Sequence, residues 1–468
     1  MNIWPLQFRW LGQGEYLFSN DSGAFFRSDE SFLRRYTEGR LTGADSEFLA
    51  NYDFAFSEVG DAKFFGHAFQ WMKRLNVAAE LNYVILVPTL RCNLTCDYCQ
   101  VSRAAETAKG FDWTENDLNL VFRMLSAIKG DSLKVEFQGG EPLLRLDVLQ
   151  AVRSFVRQRF KHAEFVVCTN LQSVGEEAWQ FFDSSDTLIS TSLDGSSDLH
   201  RKLRTKSSDA HDEFLSNLAQ AIAKYGPERV SALPTLDVND LPNPADFVEQ
   251  YAKLGLHSIF LRQVNYQGFA RKALHQSNKT AWYQFYRSVV HYIIERNNSA
   301  DLAMEEFYLS HLLRRIVRGG HNNFVDLRNP NWLGIDYIVV DYDGKIYPTD
   351  EARMLSRVRH VDLSIGSLQA SLDQQKLWQL NQIVSNFDDP DCIHCVYHPY
   401  CGLDVIDDLS RYQRIDLPRH MTHHCNKQMT LFDFAFELLY STSPVVQSSV
   451  AKWLGVTSLP ENLCMVHK

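Results

Sequence analysis

Three cysteines, Cys92, Cys96 and Cys99, follow an apolar run that begins at Val84. Thiolate is the soft ligand that iron–sulfur clusters take, so three thiolates on one short loop can bind three irons of a cubane 4Fe–4S cluster. The fourth iron would have no protein ligand, and such an open position allows chemistry, as at a catalytic zinc site. A structural zinc site is the alternative, but it usually takes four ligands in two pairs. The spacing therefore predicts a cluster with one open iron.

A second set of cysteines lies near the C-terminus and consists of Cys392, Cys395, Cys401 and Cys425. Four thiolates would occupy all four irons of a cubane, so this cluster would be saturated and would carry electrons or hold the fold. A zinc ion bound by the same four thiolates is the alternative. Cys168 stands outside both sets, and we expect it to act as a small buried hydrophobic residue.

The first cysteine loop, with Tyr98 directly before Cys99, resembles the signature of radical S-adenosylmethionine (SAM) enzymes. The resemblance implies that the open iron chelates the amino and carboxylate groups of SAM and that Tyr98 belongs to the cofactor site. It also implies that one electron from the cluster cleaves SAM to methionine and a 5′-deoxyadenosyl radical, which removes a hydrogen atom from the substrate. An external one-electron donor such as flavodoxin or ferredoxin would supply that electron.

Strands alternate with helices from residue 82 to about residue 268, which indicates an α/β fold with a parallel sheet and right-handed crossovers. Six such units predict a partial (β/α)6 barrel, with its site at the carboxyl ends of the strands. The resemblance implies the same fold. The strands are predicted over Val84–Thr89, Leu133–Phe137, Glu164–Cys168, Thr187–Ser192, Arg229–Thr235 and His257–Val264.

The second of these strands is followed by Gly139, Gly140 and Glu141. Two glycines at a strand end allow the backbone to approach a ligand closely or to adopt positive φ. The resemblance implies that this segment, including Glu141, contacts the amino group of SAM. Thr169 and Asn170 match the end of the third strand in the same family, and a turn or helix cap is the alternative for them.

Two further strand ends supply candidate SAM contacts. The resemblance implies that Ser192 and Arg204, which follow the fourth strand, bind the SAM carboxylate. A surface ion pair is the alternative for Arg204. The sixth strand leads into Arg262 and Tyr266, and the resemblance implies that the backbone of this segment lines the adenine side.

The C-terminal region resembles the SPASM extension of radical SAM peptide maturases, which usually carries two auxiliary clusters. Thr349 and Val405 stand where that pattern has cysteine ligands of the cluster nearer the substrate, so we expect this cluster to be absent. Asp350 stands where sulfatase-maturating relatives place a base, and it is the candidate for proton transfer. A turn carboxylate that caps the next helix is the alternative for Asp350.

Three domains are predicted: an N-terminal α+β domain over residues 1–80, the barrel over 81–325 and the SPASM-like domain over 326–468. The first domain resembles the small peptide-clasping domain of ribosomal-peptide modifying enzymes, which implies a leader peptide added to an exposed sheet edge. A plain α+β cap over the barrel is the alternative. The opening segment, the hairpin before Asp350 and the Cys392 cluster together resemble the His-Xaa-Ser system radical SAM maturases.

Composition limits the range of partners. The chain has 468 residues and a net charge of −10, which argues against nucleic-acid and anionic-membrane partners. The N-terminus lacks signal-peptide architecture, and no run approaches the ~18 apolar residues of a membrane span. Together with cysteines grouped as metal ligands, these features indicate a cytoplasmic protein.

These features predict a radical SAM enzyme that modifies a ribosomally made precursor peptide by hydrogen abstraction, with a cross-link or another oxidative change as the outcome. Its partners would be the precursor with its leader, the electron donor and, as a further option, a second radical SAM maturase. One alternative is a sulfatase-type maturase that oxidises a serine or cysteine in a folded protein. A second alternative is a non-catalytic iron–sulfur or zinc module that binds peptides.

Overall fold

The fold is taken from a computed structural model of the chain, which describes residues 1–77, 80–265, 267–269, 279–299, 303–319 and 327–467. Tyr266 and the boundary predicted between residues 325 and 326 therefore lie outside the described residues. The N-terminal region contains β1 (Asn2–Ile3), β2 (Gln7–Gly12), β3 (Glu15–Ser19), β4 (Phe25–Asp29), α1 (Glu30–Thr37), α2 (Gly43–Asn51), β5 (Ala55–Phe56) and α3 (Ala62–Arg74).

The middle of the chain alternates strands and helices, as its sequence predicts. Its strands are β6 (Tyr83–Leu86), β7 (Arg91–Cys92), β8 (Ala104–Ala105), β9 (Ser132–Phe137), β10 (His162–Cys168), β11 (Thr187–Ser192), β12 (Val230–Leu233), β13 (Ser258–Ile259) and β14 (Glu305–Glu306). Its helices are α4 (Glu115–Ala127), α5 (Leu146–Arg159), α6 (Glu176–Phe182), α7 (Ser197–His200), α8 (Ser208–Tyr225), α9 (Pro244–Lys253), α10 (Lys279–Asn297) and α11 (Phe307–Val317).

The C-terminal region is mainly helical after an initial hairpin. Its strands are β15 (Tyr337–Val340), β16 (Lys345–Tyr347), β17 (Gly366–Ser367) and β18 (Met465–Val466). Its helices are α12 (Asp350–Arg357), α13 (Gln374–Leu380), α14 (Val405–Tyr412), α15 (His423–Leu439) and α16 (Pro444–Leu454). None of the helices within the described ranges combines the length and the apolar character needed to cross a membrane.

The central sheet has the strand order β12-β11-β10-β9-β6-β15-β16-β17. The strands from β12 to β15 are parallel to their neighbours, whereas β16 and β17 are antiparallel. Parallel strands buried on both faces read as apolar runs, and Val84 and Leu86 of β6 are fully buried. The α/β fold with a parallel sheet that the sequence predicts is confirmed.

The sixth barrel strand is shorter than its sequence predicts. Its regular part, β13, pairs with β14, and its link to the sheet is a single parallel bridge between Leu236 and Gln263. Regular pairing in the central sheet therefore ends at β12, and this side of the described sheet is an open edge, as expected for a partial barrel. Arg262 lies beside this bridge at the open edge.

The N-terminal and C-terminal regions share a second sheet, with the order β18-β4-β3-β2. The last strand of the chain, β18, is parallel to β4, and Arg9 on β2 forms an ion pair with Asp433 of α15 at 2.8 Å. Arg74 at the end of α3 donates to the carbonyl oxygens of Ser22 and Arg315 at 2.5 and 2.9 Å. The predicted domain limits stay a prediction, but these contacts show that the N-terminal residues pack against the other two regions.

Candidate active site

The cysteine loop leaves the carboxyl end of β6 and is held by its own backbone. Cys92 pairs with Ala105 in the short β7–β8 ladder, and the N–H of Cys99 donates to the carbonyl of Cys96 at 3.3 Å. Burial raises the pKa of Cys92 to about 12, and it raises the pKa of Cys96 as well. A buried thiolate needs a positive partner, and a bound metal supplies one. The donor set therefore fits a metal site.

The two glycines after β9 allow direct packing on this loop. A Cβ at Gly139 would lie 2.2 Å from the carbonyl oxygen of Thr89, and one at Gly140 would lie 2.1 Å from that of Arg91. The N–H of Gly140 donates to Thr89 at 3.0 Å, and the N–H of Glu141 donates to Arg91 at 2.8 Å. Gly139 also has φ of +148°, which other residues rarely adopt. These contacts fix the backbone that leads into Cys92.

Glu141 connects the loops that follow the second and third strands. Its buried carboxylate accepts hydrogen bonds from the Thr169 hydroxyl at 2.8 Å and from the N–H groups of Asn170 and Leu143 at 2.8 and 3.0 Å. Burial raises the pKa of Glu141 to about 7. Asn170 in turn donates to the side-chain oxygen of Asn93 at 2.8 Å, within the cysteine loop. The structure thus brings Glu141, Thr169 and Asn170 to the cysteine loop, as their positions at strand ends predict.

Arg204 does not lie on the surface, so the alternative of a surface ion pair is wrong. Its side chain already has hydrogen-bond partners within the protein. Its Nε donates to Asp194 at 2.8 Å and to the Tyr98 hydroxyl at 2.5 Å. The Tyr98 hydroxyl also donates to Asp194, which is fully buried and accepts the N–H of Thr235 at 3.0 Å. This triad joins the cysteine loop to the ends of the fourth and fifth strands.

Asp194 is the residue of this triad to which sequence reasoning gave no role. The sequence feature that could have identified Asp194 is its place at a strand end, directly before Gly195. Ser192, the other residue predicted to bind the carboxylate, lies at the last position of β11 and is partly buried. The SAM contacts of Ser192 and Arg204 stay predictions.

A cavity of about 370 Å³ opens at the carboxyl ends of the barrel strands. Gln100 from the cysteine loop and Arg262 from the sixth strand line it on the barrel side. Asp350 and His424 line it from the C-terminal region. Carboxyl ends of barrel strands are where the sites of β/α barrels lie, so this cavity is the candidate substrate site. The structure brings Arg262 and Asp350 to one cavity, and their predicted roles in binding SAM and in proton transfer stay predictions.

Asp350 is the first residue of α12 and is held by an arginine. Its Oδ1 accepts two hydrogen bonds from Arg353, from Nε at 3.0 Å and from Nη2 at 2.9 Å. Burial raises the pKa of Asp350, Arg353 opposes that shift, and the negative charge of Glu136 adds to it. The cap of α12 is Thr349, whose hydroxyl accepts the N–H of Ala352 at 3.0 Å. The capping role considered for Asp350 thus belongs to the residue that replaces the expected cysteine.

The C-terminal cysteines lie on a segment of consecutive turns and on the first turn of α15. The N–H of Cys395 donates to the carbonyl of Cys392 at 2.9 Å, and Thr422 caps the helix turn that carries Cys425. Burial raises the pKa of Cys401, and the three other thiols of the set raise it further, which shows that the four groups are close. A buried group of four thiols fits a cluster site.

The thiols of either set do not converge on a single point. Among the residues that the structure describes, no three His, Cys, Asp or Glu side chains are arranged to hold one metal ion. A cubane cluster binds each thiolate through a different iron, so convergence on one point is not what such a cluster requires.

Comparison with known proteins identifies the class of the central domain. Residues 86–241 match the family described as Radical SAM superfamily. The chain therefore carries a radical SAM domain. Together with the fold, this match confirms the general resemblance predicted from the cysteine loop.

Particular relatives share parts of this sequence. The chain is 27% identical over 132 residues to a cysteine-type anaerobic sulfatase-maturating enzyme of Clostridium novyi, covering 27% of this chain and 35% of that protein. It is 26% identical over 171 residues to a probable GTP 3′,8-cyclase of Methanocaldococcus jannaschii, covering 36% of this chain and 55% of that protein. The matched segments thus span only about a third to a half of these relatives.

Solved structures share the fold over a longer stretch. One is anSMEcpe with bound AdoMet and a peptide, with a TM-score of 0.60, 18% identity and coverage of 76% of this chain and 97% of that chain. Another is SuiB of Streptococcus suis bound to the precursor peptide SuiA, with a TM-score of 0.52, 13% identity and coverage of 91% and 99%. These likenesses show the fold. The narrower resemblance to His-Xaa-Ser system maturases stays a prediction.

Proposed function

We propose that this chain is a radical SAM enzyme that modifies a ribosomally made precursor peptide. The observation that carries the proposal is the shared cavity. Gln100, one residue after the last cysteine of the loop, and Asp350 of the C-terminal region line the same cavity. A substrate residue in this cavity would lie beside the cysteine loop on one side and beside a buried carboxylate on the other.

SAM and a 4Fe–4S cluster are the cofactors that the radical SAM domain implies. Cys92, Cys96 and Cys99 would hold the cluster, because they are three partly buried free thiols on a loop fixed by Gly140 and Glu141. When bound, SAM supplies a 5′-deoxyadenosyl radical that removes a hydrogen atom from the substrate. The segment Gly139–Glu141, together with Tyr98, Ser192, Arg204 and Arg262, is proposed as the SAM site.

The chain's own residues would then manage the proton that an oxidative change releases. Asp350 lines the cavity, and burial raises its pKa, which makes its carboxylate a better proton acceptor than an ordinary aspartate. Arg353, which is fully buried, fixes the orientation of the carboxylate through two hydrogen bonds. Asp350 is therefore the proposed base and Arg353 its positioning residue.

The second cluster would be held by Cys392, Cys395, Cys401 and Cys425. Its four thiolate ligands leave no open iron, so it would serve electron transfer or stabilise the fold. Arg315 lies at this site, donating to the carbonyl of Tyr400 at 2.5 Å. Its positive charge is placed to offset the charge of bound thiolates. An external donor such as flavodoxin or ferredoxin would deliver electrons in the cytoplasm.

The N-terminal sheet is the proposed place for the leader peptide. Within the described residues, β2 is the outer strand of its sheet and pairs only with β3. Phe8 and Trp10 on β2 leave 42% and 63% of their surface exposed. An extended peptide can add to such an edge through main-chain hydrogen bonds while its side chains contact the exposed rings. SuiB and anSMEcpe, which share the fold, were solved with a precursor peptide and with a peptide bound, and this supports a peptide substrate.

A sulfatase-type maturase is the second candidate, because the chain shares 27% identity over 132 residues with an anaerobic sulfatase-maturating enzyme. Co-expression separates the two candidates. A short precursor encoded beside this gene is expressed with the wild-type enzyme and with the Cys92→Ala variant, and its mass is measured. A mass change that requires the wild-type enzyme supports the peptide maturase. An unchanged precursor, together with modification of a co-expressed sulfatase, would favour the second candidate.

A further inference from the structure

Arg262 differs from the other arginines at the site because its charge has no partner. Arg204 is paired with Asp194, and Arg353 is paired with Asp350. Within the part of the chain that the structure describes, Arg262 forms neither a hydrogen bond through its guanidinium nor an ion pair, and its Nε is buried. The side chain as a whole is only partly buried and borders the cavity. A buried N–H without an acceptor is costly, so an unpaired guanidinium at a cavity wall is suited to bind a ligand of opposite charge.

The surroundings of Arg262 hold the side chain at the cavity wall. The carbonyl of Arg262 accepts the N–H of Leu236 at 2.9 Å, which fixes the backbone at the open edge of the barrel. The guanidinium carbon lies 5.3 Å from the centre of the Phe260 ring. Burial lowers the pKa of Arg262, and the nearby charge of Arg204 lowers it further. A bound anion would relieve both penalties.

Two carboxylates of the cavity wall, those of Glu136 and Asp350, disfavour an anion beside them. Glu136 also lines the cavity and already accepts hydrogen bonds from Tyr83 at 2.5 Å and from Gln138 at 2.7 Å. Asp350 lines it as well. These carboxylates repel an anion, whereas the planar fork of Arg262 suits a carboxylate, to which arginine binds through two parallel hydrogen bonds.

We propose that the side chain of Arg262 binds a carboxylate group of a ligand in this cavity, an inference that rests on the proposed function. Two ligands would bring that chemistry to the site. One is the methionyl carboxylate of SAM, for which Arg204 is less suited because it is already bound to Asp194 and Tyr98. The other is an acidic side chain or the C-terminus of the peptide substrate.

Binding to the reconstituted enzyme tests the proposal and distinguishes the two sources. Arg262→Met removes the charge at similar length, and Arg262→Lys keeps the charge without the fork. Arg201→Met is the control, because Arg201 is an exposed arginine paired with Asp198. The first pair of probes is SAM and decarboxylated SAM. The second pair is N-acetylglutamate amide and N-acetylglutamine amide, which differ in one carboxylate.

The quantity compared is the ratio of dissociation constants within each pair. Since the open iron would itself favour the carboxylate of SAM, the informative result is the change in this ratio between wild type and variant. A charged hydrogen bond predicts a loss of about tenfold or more in Arg262→Met, a smaller loss in Arg262→Lys and none in Arg201→Met. A smaller preference for SAM over decarboxylated SAM identifies SAM as the ligand of Arg262. A smaller preference for the glutamate amide over the glutamine amide identifies the substrate as its ligand.

Thermal stability gives an independent readout. Because the unpaired charge is costly, the ligand-free Arg262→Met enzyme is expected to melt at or above the wild-type temperature. Unchanged ratios in both pairs, or a marked fall in melting temperature, would overturn the proposal. If wild-type enzyme still forms 5′-deoxyadenosine in that case, only the role of Arg262 is refuted and the proposed function stands.

Discussion

Arg353 directs two nitrogens of its guanidinium, Nε and Nη2, at a single carboxylate oxygen of Asp350, at 3.0 and 2.9 Å. The arginine is fully buried, and its Nη1 also lies 3.7 Å from Oδ1 of Asp341, the residue directly after β15. Two contacts to one oxygen hold the carboxylate in one orientation at the cavity wall. The arrangement therefore fixes the position from which Asp350 could accept a proton from a substrate in the cavity.

Replacement of Asp350 by asparagine should separate radical formation from product formation. The amide is similar in shape to the carboxylate but cannot take up a proton. We expect formation of modified peptide to fall by about 10²–10⁴-fold, the usual contribution of a general base, while 5′-deoxyadenosine still forms. Both products are measured by chromatography and mass spectrometry. Asp343→Asn, in the turn between β15 and β16, is the control, and an equal loss in that variant would remove Asp350 from the mechanism.

Substitution of Gly140 should disturb the cysteine loop. An alanine Cβ would lie 2.1 Å from the carbonyl oxygen of Arg91, and backbone there cannot yield without moving Cys92. We expect Gly140→Ala to destabilise the protein by about 1–3 kcal/mol, as overpacking does, and to lower the iron retained after reconstitution. Gly175→Ala is the matched control, because nothing lies within 4 Å of its added Cβ. Equal iron content in both variants would contradict this role of Gly140.

Loss of one C-terminal cysteine should remove one cluster and leave the other. In Cys395→Ala we expect iron to fall from about eight to about four atoms per chain, because each cubane holds four. Formation of 5′-deoxyadenosine should persist, since the first cysteine loop is intact. Cys464→Ala is the control, because its thiol donates to the carbonyl of Leu439 at 3.2 Å and belongs to neither set. Loss of zinc in Cys395→Ala, with the iron content unchanged, would support the alternative metal for this site.

Glu306 should make stability depend on pH. This buried carboxyl accepts the N–H groups of Leu309 and Leu261 at 2.7 and 3.0 Å and the hydroxyl of Tyr286, and burial raises its pKa to about 7. The unfolded chain loses this proton near pH 4.5, whereas the folded chain keeps it until about pH 7. The folded state therefore binds more protons in this interval, so stability falls as the pH rises from about 4.5 to 7 and stays lower above it.

Comparison with Glu306→Gln isolates this effect. The amide keeps one acceptor oxygen, which serves one of the two N–H groups, and it does not titrate. The wild-type free energy of unfolding should fall relative to the variant by about 3 kcal/mol between pH 4.5 and pH 8, at the usual 1.4 kcal/mol per pKa unit. Denaturant unfolding at several pH values measures the difference. A difference that does not change with pH would show that Glu306 keeps an ordinary pKa.

Local patterns in the sequence identified most of the barrel. The apolar runs before Cys92 and Gly139 became β6 and β9, because such runs depend on neighbouring residues in the chain. The sixth strand is the exception. It is predicted over His257–Val264, but only Ser258 and Ile259 pair regularly, and their partner is β14.

Contacts between distant parts of the chain could not be predicted from local sequence patterns. The pairing of β15 with β6 and that of β18 with β4 join strands separated by more than 250 residues, and a short apolar strand carries no signal of its partner. The partners of charged residues could not be predicted from local patterns either. Arg204 was a candidate for SAM, but its pairing with Asp194 depends on a turn ten residues away.

The most direct test of the account is 5′-deoxyadenosine formation by the anaerobically reconstituted enzyme with SAM and dithionite. The account predicts that wild-type enzyme forms this product and that Cys92→Ala, which lacks one of three ligands to the first cluster, forms far less. Cys168→Ala, which changes a cysteine outside both sets, should behave as wild type. Equal product from wild type and Cys92→Ala, or none from a wild-type enzyme that retains its full iron content, would contradict the central claim.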